Sequence, residues 1–169
     1  KYLQRYVLAA TLSSNIGIYG PVFEQMISEP ISGKEEYYMS EKFQLCNYDW
    51  SKENKVTELI SSINNVRHEN ESYQQTNNIR FCETGNDKII AFYKWNDAKT
   101  NETLTVISLD AYNAQAGSVQ LPLEQLGVYN GQKVEVEDLI TKNSYNWYNE
   151  WNYVELHATL PFHIFKINK

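Results

Sequence analysis

The acidic side chains of residues 24–42 are the groups in this chain whose types and spacing could do chemistry. This stretch is also rich in Ser, Gly and Tyr, and the acids considered as a catalytic pair are Glu24, Glu35, Glu36 and Glu41. Two carboxyl groups that face each other across a substrate can act as general acid and general base. Closeness in sequence does not place two carboxylates on opposite sides of a substrate, so we interpret this stretch as a solvated acidic loop.

The cysteines and histidines give little support for a metal site. Cys46 and Cys82 lie far apart in the sequence and have no metal-ligand spacing. His157 and His163 could approach each other across neighbouring strands, but no third ligand accompanies them. We therefore expect free thiols, no metal and no cofactor.

A group of aromatic residues near the C-terminus is the other candidate for ligand binding. It consists of Tyr145, Trp147, Tyr148, Trp151 and Tyr153. Flat aromatic rings can stack on the C–H faces of sugars, so the group could form a carbohydrate platform. Strands also favour aromatics for packing, and Tyr145 and Trp147 share a face by alternation. Core or domain-interface packing is the interpretation that we favour.

The elements that must position these groups differ between the two halves of the chain. In the first half, apolar residues at helical spacing predict a helix over 2–12 and another over 56–69. Between them, a short apolar run at 16–19, bounded by glycines and Pro21, predicts a buried strand that ends in a turn. The long stretch 24–42 that follows has no sustained period, and long ordered loops of this kind usually carry function.

The second half has the pattern of an all-β domain. The polar run SYQQTNN at 72–78 marks a boundary. Beyond it, turn signals separate eight short strands, which we predict at 79–83, 88–95, 103–110, 118–121, 134–138, 144–148, 152–157 and 162–167. We therefore divide the chain into residues 1–77 and an antiparallel β-sandwich over 78–169 with its own core.

Composition excludes some classes of function. The chain has 169 residues, a net charge of -6 and a pI near 5.1. A nucleic-acid surface needs clustered Lys and Arg, and none is seen, so we expect no nucleic-acid partner. No apolar run approaches the length of a membrane helix. The first residue is Lys1 rather than Met, which suggests that the true N-terminus is missing.

Several motifs resemble those of a known family. The segments LAATLSSNIGIYGPVFE, GKEEYYMSEKF and LISSINNVRHEN occur in this order in the first half. The segments RFCETGNDKIIAFYK, VISLDAYNAQAGSVQLPLEQLG and NYVELHATLPFHIFKI follow in the second half. Together they resemble the closing part of α-1,4-glucan:maltose-1-phosphate maltosyltransferases, which belong to the α-amylase superfamily. The resemblance covers nearly the whole chain.

This resemblance implies a fold and a chemistry. Residues 1–77 would form the last α-β-α elements of a (β/α)8 barrel, and the β-sandwich would follow. In such enzymes an Asp attacks the anomeric carbon, a Glu protonates the departing phosphate, and the maltosyl unit passes to a glucan with retention. The resemblance places these carboxylates before Lys1. We therefore expect an α+β fragment without catalytic residues, which is inactive alone.

The resemblance also points to substrate-binding residues. In the related enzymes the Lys of the motif SEK, which is Lys42 here, reaches the donor pocket and hydrogen-bonds sugar hydroxyls. Glu41 and Tyr37 are secondary candidates. Without the resemblance, Lys42 would be read as an exposed lysine that pairs with Glu41 or Glu35. The family usually continues SEK with Tyr, whereas Phe43 lacks the hydroxyl, so the pocket differs in detail.

The resemblance finally suggests partners and location. We expect the parent enzyme to use maltose 1-phosphate and an α-glucan in the cytoplasm, without a membrane partner, and a homodimer is a further expectation. Two alternatives stay open. The parent could be another α-amylase relative that acts as a hydrolase or transglycosylase, or the chain could be a noncatalytic module that binds glucan or holds domains together.

Overall fold

Helices and strands divide this chain much as the sequence predicts. A computed structural model describes residues 1–18, 20–38, 45–52 and 54–169. Within them lie helices α1 (Tyr2–Leu12), α2 (Gly20–Glu24), α3 (Lys55–Glu69) and α4 (Leu123–Leu126), and a 3-10 turn at Glu71–Tyr73. The strands are β1 (Ile79–Cys82), β2 (Ile89–Trp95), β3 (Glu102–Ser108), β4 (Gln115–Gln120), β5 (Val134–Asp138), β6 (Ser144–Trp147), β7 (Trp151–Leu156) and β8 (Phe162–Asn168).

The two longer helices confirm the helical periodicity of the first half. α1 has the predicted bounds, and α3 begins one residue before the predicted start. The side chain of Asn54 fixes that start, because it accepts hydrogen bonds from the backbone N–H of Val56 at 2.9 Å and of Thr57 at 3.2 Å. Thr57 completes the capping box by interacting with the backbone of Asn54.

The strand predicted at 16–19 is wrong over the residues that the structure describes. Residues 16–18 have no strand conformation, and Tyr19 lies outside the described residues. A strand needs a hydrogen-bonded neighbour, and Ile16 and Ile18 instead pack, partly buried, against the cluster that contains α1 and α3. The short helix α2 follows directly, with Pro21 in its first turn, where a missing N–H costs little.

All eight strands predicted in the second half are confirmed with small shifts of their ends. Six of them form an antiparallel sheet in the order β1-β2-β3-β8-β5-β6, and β4 and β7 form a separate antiparallel pair. The larger shift is at β4, which begins at Gln115 rather than at 118. The fold is thus mostly antiparallel sheet with few helices.

The six-stranded sheet is covered on both faces. One face packs against the β4–β7 pair and α4, in a cluster that includes Tyr93, Val106, Val119, Leu156 and Phe165. The opposite face packs against α1 and α3, in a cluster that includes Val7, Ile63, Phe92, Ile107 and Phe162. Every residue of the central strand β3 is buried as a result. The predicted boundary between 77 and 78 stays a prediction, and the second cluster draws on both sides of it.

Two cationic side chains fasten the end of α1 to the rest of the chain. The guanidinium of Arg67 donates to the backbone oxygens of Ala10, Ser13 and Ser14, the last at 2.7 Å. The ammonium of Lys94, on β2, is fully buried and donates to the oxygen of Leu12 at 3.3 Å and of Gln75 at 2.7 Å. Burial lowers the pKa of Lys94 to about 8, with a smaller contribution from the charge of Arg67.

The helices in the described ranges include none that is long and apolar enough to cross a membrane.

Candidate functional site

The loop predicted to face the substrate folds back on itself as a short hairpin. The N–H of Ile31 donates to the oxygen of Glu36 at 2.9 Å, and the N–H of Tyr38 donates to the oxygen of Glu29 at 2.6 Å. Pro30 and Tyr37 pair across this hairpin. Gly33 turns the chain with a positive φ of 76°, which glycine adopts without steric cost.

Of the three predicted binding residues, the structure describes only Tyr37. Its side chain is 49% exposed, so the ring is free to meet a ligand or another part of a larger protein. Lys42 and Glu41 lie outside the described residues, and their roles stay predictions. Glu35 and Glu36, on the same hairpin, are exposed, as a solvated acidic loop requires.

The aromatic group near the C-terminus does not act as one unit. Trp147 is buried in the core, 5.2 Å from the ring of Phe165. Trp151 and Tyr153, on β7, are exposed, because alternation points them away from the core. Core packing therefore holds for Trp147 and not for Trp151, whose packing at a domain interface stays a prediction, and these two tryptophans do not form a joint platform. The turn at 148–150 puts them on different sheets.

An open groove of about 420 Å³ lies where β6 and β7 approach each other. Tyr145 of β6 and Tyr153 of β7 both line it, with exposed fractions of 43% and 67%. Glu155 and His157 continue the lining, and 4.0 Å separates the Nε2 of His157 from a carboxylate oxygen of Glu155. This groove combines aromatic faces with polar groups. Among the described residues, no group of His, Cys, Asp and Glu is arranged to hold a metal.

A buried ion pair supports the groove from below. The Nδ1 of His163 lies 2.9 Å from Oδ2 of Asp138, and its Nε2 lies 3.0 Å from the backbone oxygen of Glu155. Burial opposes the charge on His163, but the hydrogen bonds to Asp138 and Glu155 outweigh it and raise the pKa of the imidazole. Burial likewise opposes the charge on Asp138, yet hydrogen bonds from His163, Ile140 and Thr141 lower the pKa of its carboxyl. The imidazole is therefore fixed in orientation.

A protein-family model described as "GLGE, C-terminal" matches residues 81–167, which is more than half of the chain. The chain belongs to the GLGE C-terminal family. The matched range contains the groove and six of the eight strands completely; it begins within β1 and ends one residue before the end of β8.

Curated relatives place the GLGE C-terminal region within longer proteins. The chain is 39% identical to the α-1,4-glucan:maltose-1-phosphate maltosyltransferase of Chlorobaculum tepidum over 99% of this chain and 26% of that protein. It is 35% identical to the protein of the same name from Methylacidiphilum infernorum, over 99% of this chain and 25% of that protein. The chain thus spans about a quarter of these relatives. The resemblance found in the sequence is confirmed.

Solved structures share the fold at low sequence identity. The maltogenic α-amylase AmyB of Thermotoga neapolitana matches 68% of this chain and 26% of its own, with a TM-score of 0.52 and 10% identity. The α-amylase of Geobacillus thermoleovorans matches 72% of this chain and 25% of its own, with a TM-score of 0.53 and 12% identity. The antiparallel domain of the GLGE C-terminal family is therefore a fold that also occurs in α-amylases.

Sequence reasoning missed the groove itself. It singled out Tyr145 and Tyr153 as aromatics and His157 and His163 as a possible pair, but it did not bring the four together. The missing information is the sheet order: β6 pairs with β5, and β7 pairs with β4. Alternation along β7 could still have shown that Trp151, Tyr153 and Glu155 share the outer face.

Proposed function

We propose that this chain is the C-terminal part of an enzyme that transfers maltosyl units from maltose 1-phosphate to α-1,4-glucans. The supporting observation is the match over 99% of the chain to a maltosyltransferase at 39% identity. That match covers 26% of the relative. The nucleophile, the acid/base and most of a barrel are proposed to belong to the remaining part of the parent enzyme. The proposed mechanism is a double displacement with retention, and the chain alone is inactive.

Residues 1–77 are proposed to close the catalytic barrel, and residues 78–169 to support it. α1 and α3 pack side by side on the sheet, and an apolar hollow of about 280 Å³ lies between α1 and residues 16–18 and 23. Ile16, Ile18 and Phe23 line this hollow. Exposed apolar surface of this kind fits the place where preceding barrel elements would pack.

Lys42, Glu41 and Tyr37 are proposed to reach the donor sugar from the loop between α2 and α3. The exposure of Tyr37 at 49% supports a loop that is open to a ligand. A lysine ammonium offers three donors to sugar hydroxyls. Cys46 and Cys82 are both free thiols, which fits the reducing cytoplasm that we expect for the parent enzyme. A homodimer remains a prediction.

The test is phosphate release from maltose 1-phosphate by the full-length protein, with maltotetraose as acceptor. We expect release coupled to lengthening of the acceptor. Losing hydrogen bonds from a charged donor costs about 1.5–3 kcal/mol, so Lys42→Ala should lower kcat/KM about 10- to 100-fold. Lys34→Ala is the matched control, because Lys34 is an exposed lysine of the preceding hairpin.

Three outcomes contradict parts of this proposal. Hydrolysis of starch without phosphate release would make the parent an amylase, whose fold the chain shares. Absence of both activities would favour a noncatalytic glucan-binding or structural module. Equal rates for Lys42→Ala and wild type would remove Lys42 from the donor site while leaving the activity in place.

A further inference from the structure

The groove between β6 and β7 has the features of a carbohydrate site that is separate from the proposed donor loop. Tyr145 and Tyr153 present exposed rings from two different sheets. Among the contacts of the described residues, neither phenol hydroxyl has a hydrogen-bond partner, so both are available to a ligand. Tyr153 makes no ring contact either, although it is a large side chain held on a regular strand. Its ring is therefore open to a ligand.

The floor of the groove is rigid. Trp147 and His163 pack on the ring of Phe165, at centroid distances of 5.2 Å each. Both nitrogens of His163 are engaged, with Asp138 and with the backbone of Glu155. A site whose walls are fixed before a ligand arrives loses less conformational entropy on binding. The groove is therefore preorganised.

The chemistry of the lining selects a neutral ligand with many hydroxyls. The carboxylate of Glu155 and the imidazole of His157 offer an acceptor and a further polar group beside the aromatic rings. Thr141 and Asn143 add further polar groups to the lining. A carboxylate in the lining disfavours phosphates and other anions, while these polar groups disfavour a purely apolar peptide. Ring faces next to hydroxyl partners suit sugars.

The surface continues beyond the groove, which favours a polymer over a single sugar. Trp151 lies two residues before Tyr153 on the same outer face of β7, which places the two about 7 Å apart along the strand. Across the β4–β7 pair, Ser118 is the partner of Tyr153, and Gln120 is the partner of Trp151. These polar neighbours leave the two rings uncovered. The volume of about 420 Å³ falls within the range of small-ligand sites.

We propose that this groove, with Trp151 at its margin, is a surface site that holds an α-glucan chain. It would keep long acceptors close to the enzyme while the reaction takes place elsewhere. The identity of the ligand rests on the proposed maltosyltransferase function, whereas the site itself rests on the groove.

The experiment compares wild type, Tyr153→Ala and the control Tyr129→Ala in the full-length protein. Tyr129 is 72% exposed and lies outside the groove. Glycogen retention is measured by affinity electrophoresis, and phosphate release is measured with glycogen and with maltotetraose. We expect Tyr153→Ala to weaken retention and to raise the apparent KM for glycogen about tenfold, which corresponds to about 1.4 kcal/mol. Rates with maltotetraose and the melting temperature should not change, and Tyr129→Ala should match wild type.

Two results would overturn the proposal. One is glycogen retention and a glycogen KM that are the same in Tyr153→Ala and wild type. The other is a fall in melting temperature with unchanged retention, which would show that another part of the full-length protein covers the groove. Retention does not depend on turnover. Failure of phosphate release from maltose 1-phosphate would therefore reject the proposed function while the retention result still decides on the groove.

Discussion

Replacing Lys94 by Met should change how the stability of this chain depends on pH. The Lys94 side chain is fully buried and donates to the backbone oxygens of Leu12 and Gln75. In the part of the chain that the structure describes, it has no ion pair with a carboxylate. Its charge is therefore held by two carbonyl groups and by the ring of Tyr73, 6.0 Å away.

The size and sign of the effect follow from the pKa of this lysine. A fall from 10.5 to about 8 corresponds to about 3 kcal/mol, at 1.36 kcal/mol per pKa unit. Because solvent screening and local relaxation reduce such values, we expect about 2 kcal/mol. Between pH 8 and 10.5 the unfolded chain binds more protons than the folded chain, so Lys94 makes stability rise with pH in this interval. In Lys94→Met that rise is lost.

Urea unfolding of the 169-residue chain at pH 7, 8, 9 and 10 measures this difference. Coincidence of the circular dichroism and fluorescence transitions first checks that unfolding is two-state. We expect the free energy of unfolding of wild type, minus that of Lys94→Met, to increase by about 2 kcal/mol across the series. The control is Lys133→Met, since Lys133 is exposed. Parallel curves for wild type and Lys94→Met would refute the reasoning.

Two further changes test the contacts that fix the groove and the helices. His163→Asn should lower the free energy of unfolding by about 1–2 kcal/mol at pH 5–6. The difference between wild type and the variant should shrink as pH rises through the elevated pKa of His163, because the imidazole then loses its charge and its ion pair with Asp138. Urea unfolding at pH 5.5 and 8.5 measures this, and a difference that is equal at both values would contradict a charged His163. Arg67→Met removes the hydrogen-bond donor of three backbone oxygens at the end of α1. This loss should lower the free energy of local opening of α1 by about 1.5–3 kcal/mol and raise the hydrogen exchange rates of its amides about 10- to 100-fold. Exchange followed by mass spectrometry should show no change in β4 and β7, and a uniform increase across the chain would mean global destabilisation instead.

The strands could be predicted from sequence because each carries its own signal. Alternation and turn residues define β7, for example, whose inward residues Asn152, Val154 and Leu156 alternate with exposed ones. The strand predicted at 16–19 was wrong because an apolar run of this length forms a strand only where another strand is available to pair with it. α4 was not predicted because a helix of four residues is too short to show a helical period in its sequence. Gly127, in the left-handed conformation, ends this helix, as is common for glycine at helix C-termini.

The groove depended on information that no local pattern carries. Tyr145 and Tyr153 lie eight residues apart in sequence, but they belong to different sheets. The turn at 148–150 connects β6 of the six-stranded sheet to β7 of the β4–β7 pair. The order of the strands in the sheet is set by pairing between strands that are far apart in sequence, such as β3 and β8. Tyr37 is exposed as a binding residue must be.

The core cluster that α1 and β8 share has a consequence for biosynthesis. Tyr6 and Val7 share a cluster with Phe162 and Ile164, and roughly 150 residues separate these two ends. A ribosome that adds about 5–20 residues per second would leave the apolar side of α1 waiting for about 8–30 s before its final partner emerges. During that time the nascent helix depends on whatever chain precedes it, or on a chaperone, to avoid premature association. Truncation within β8 should therefore yield an aggregating product even though most of the strands have already been made.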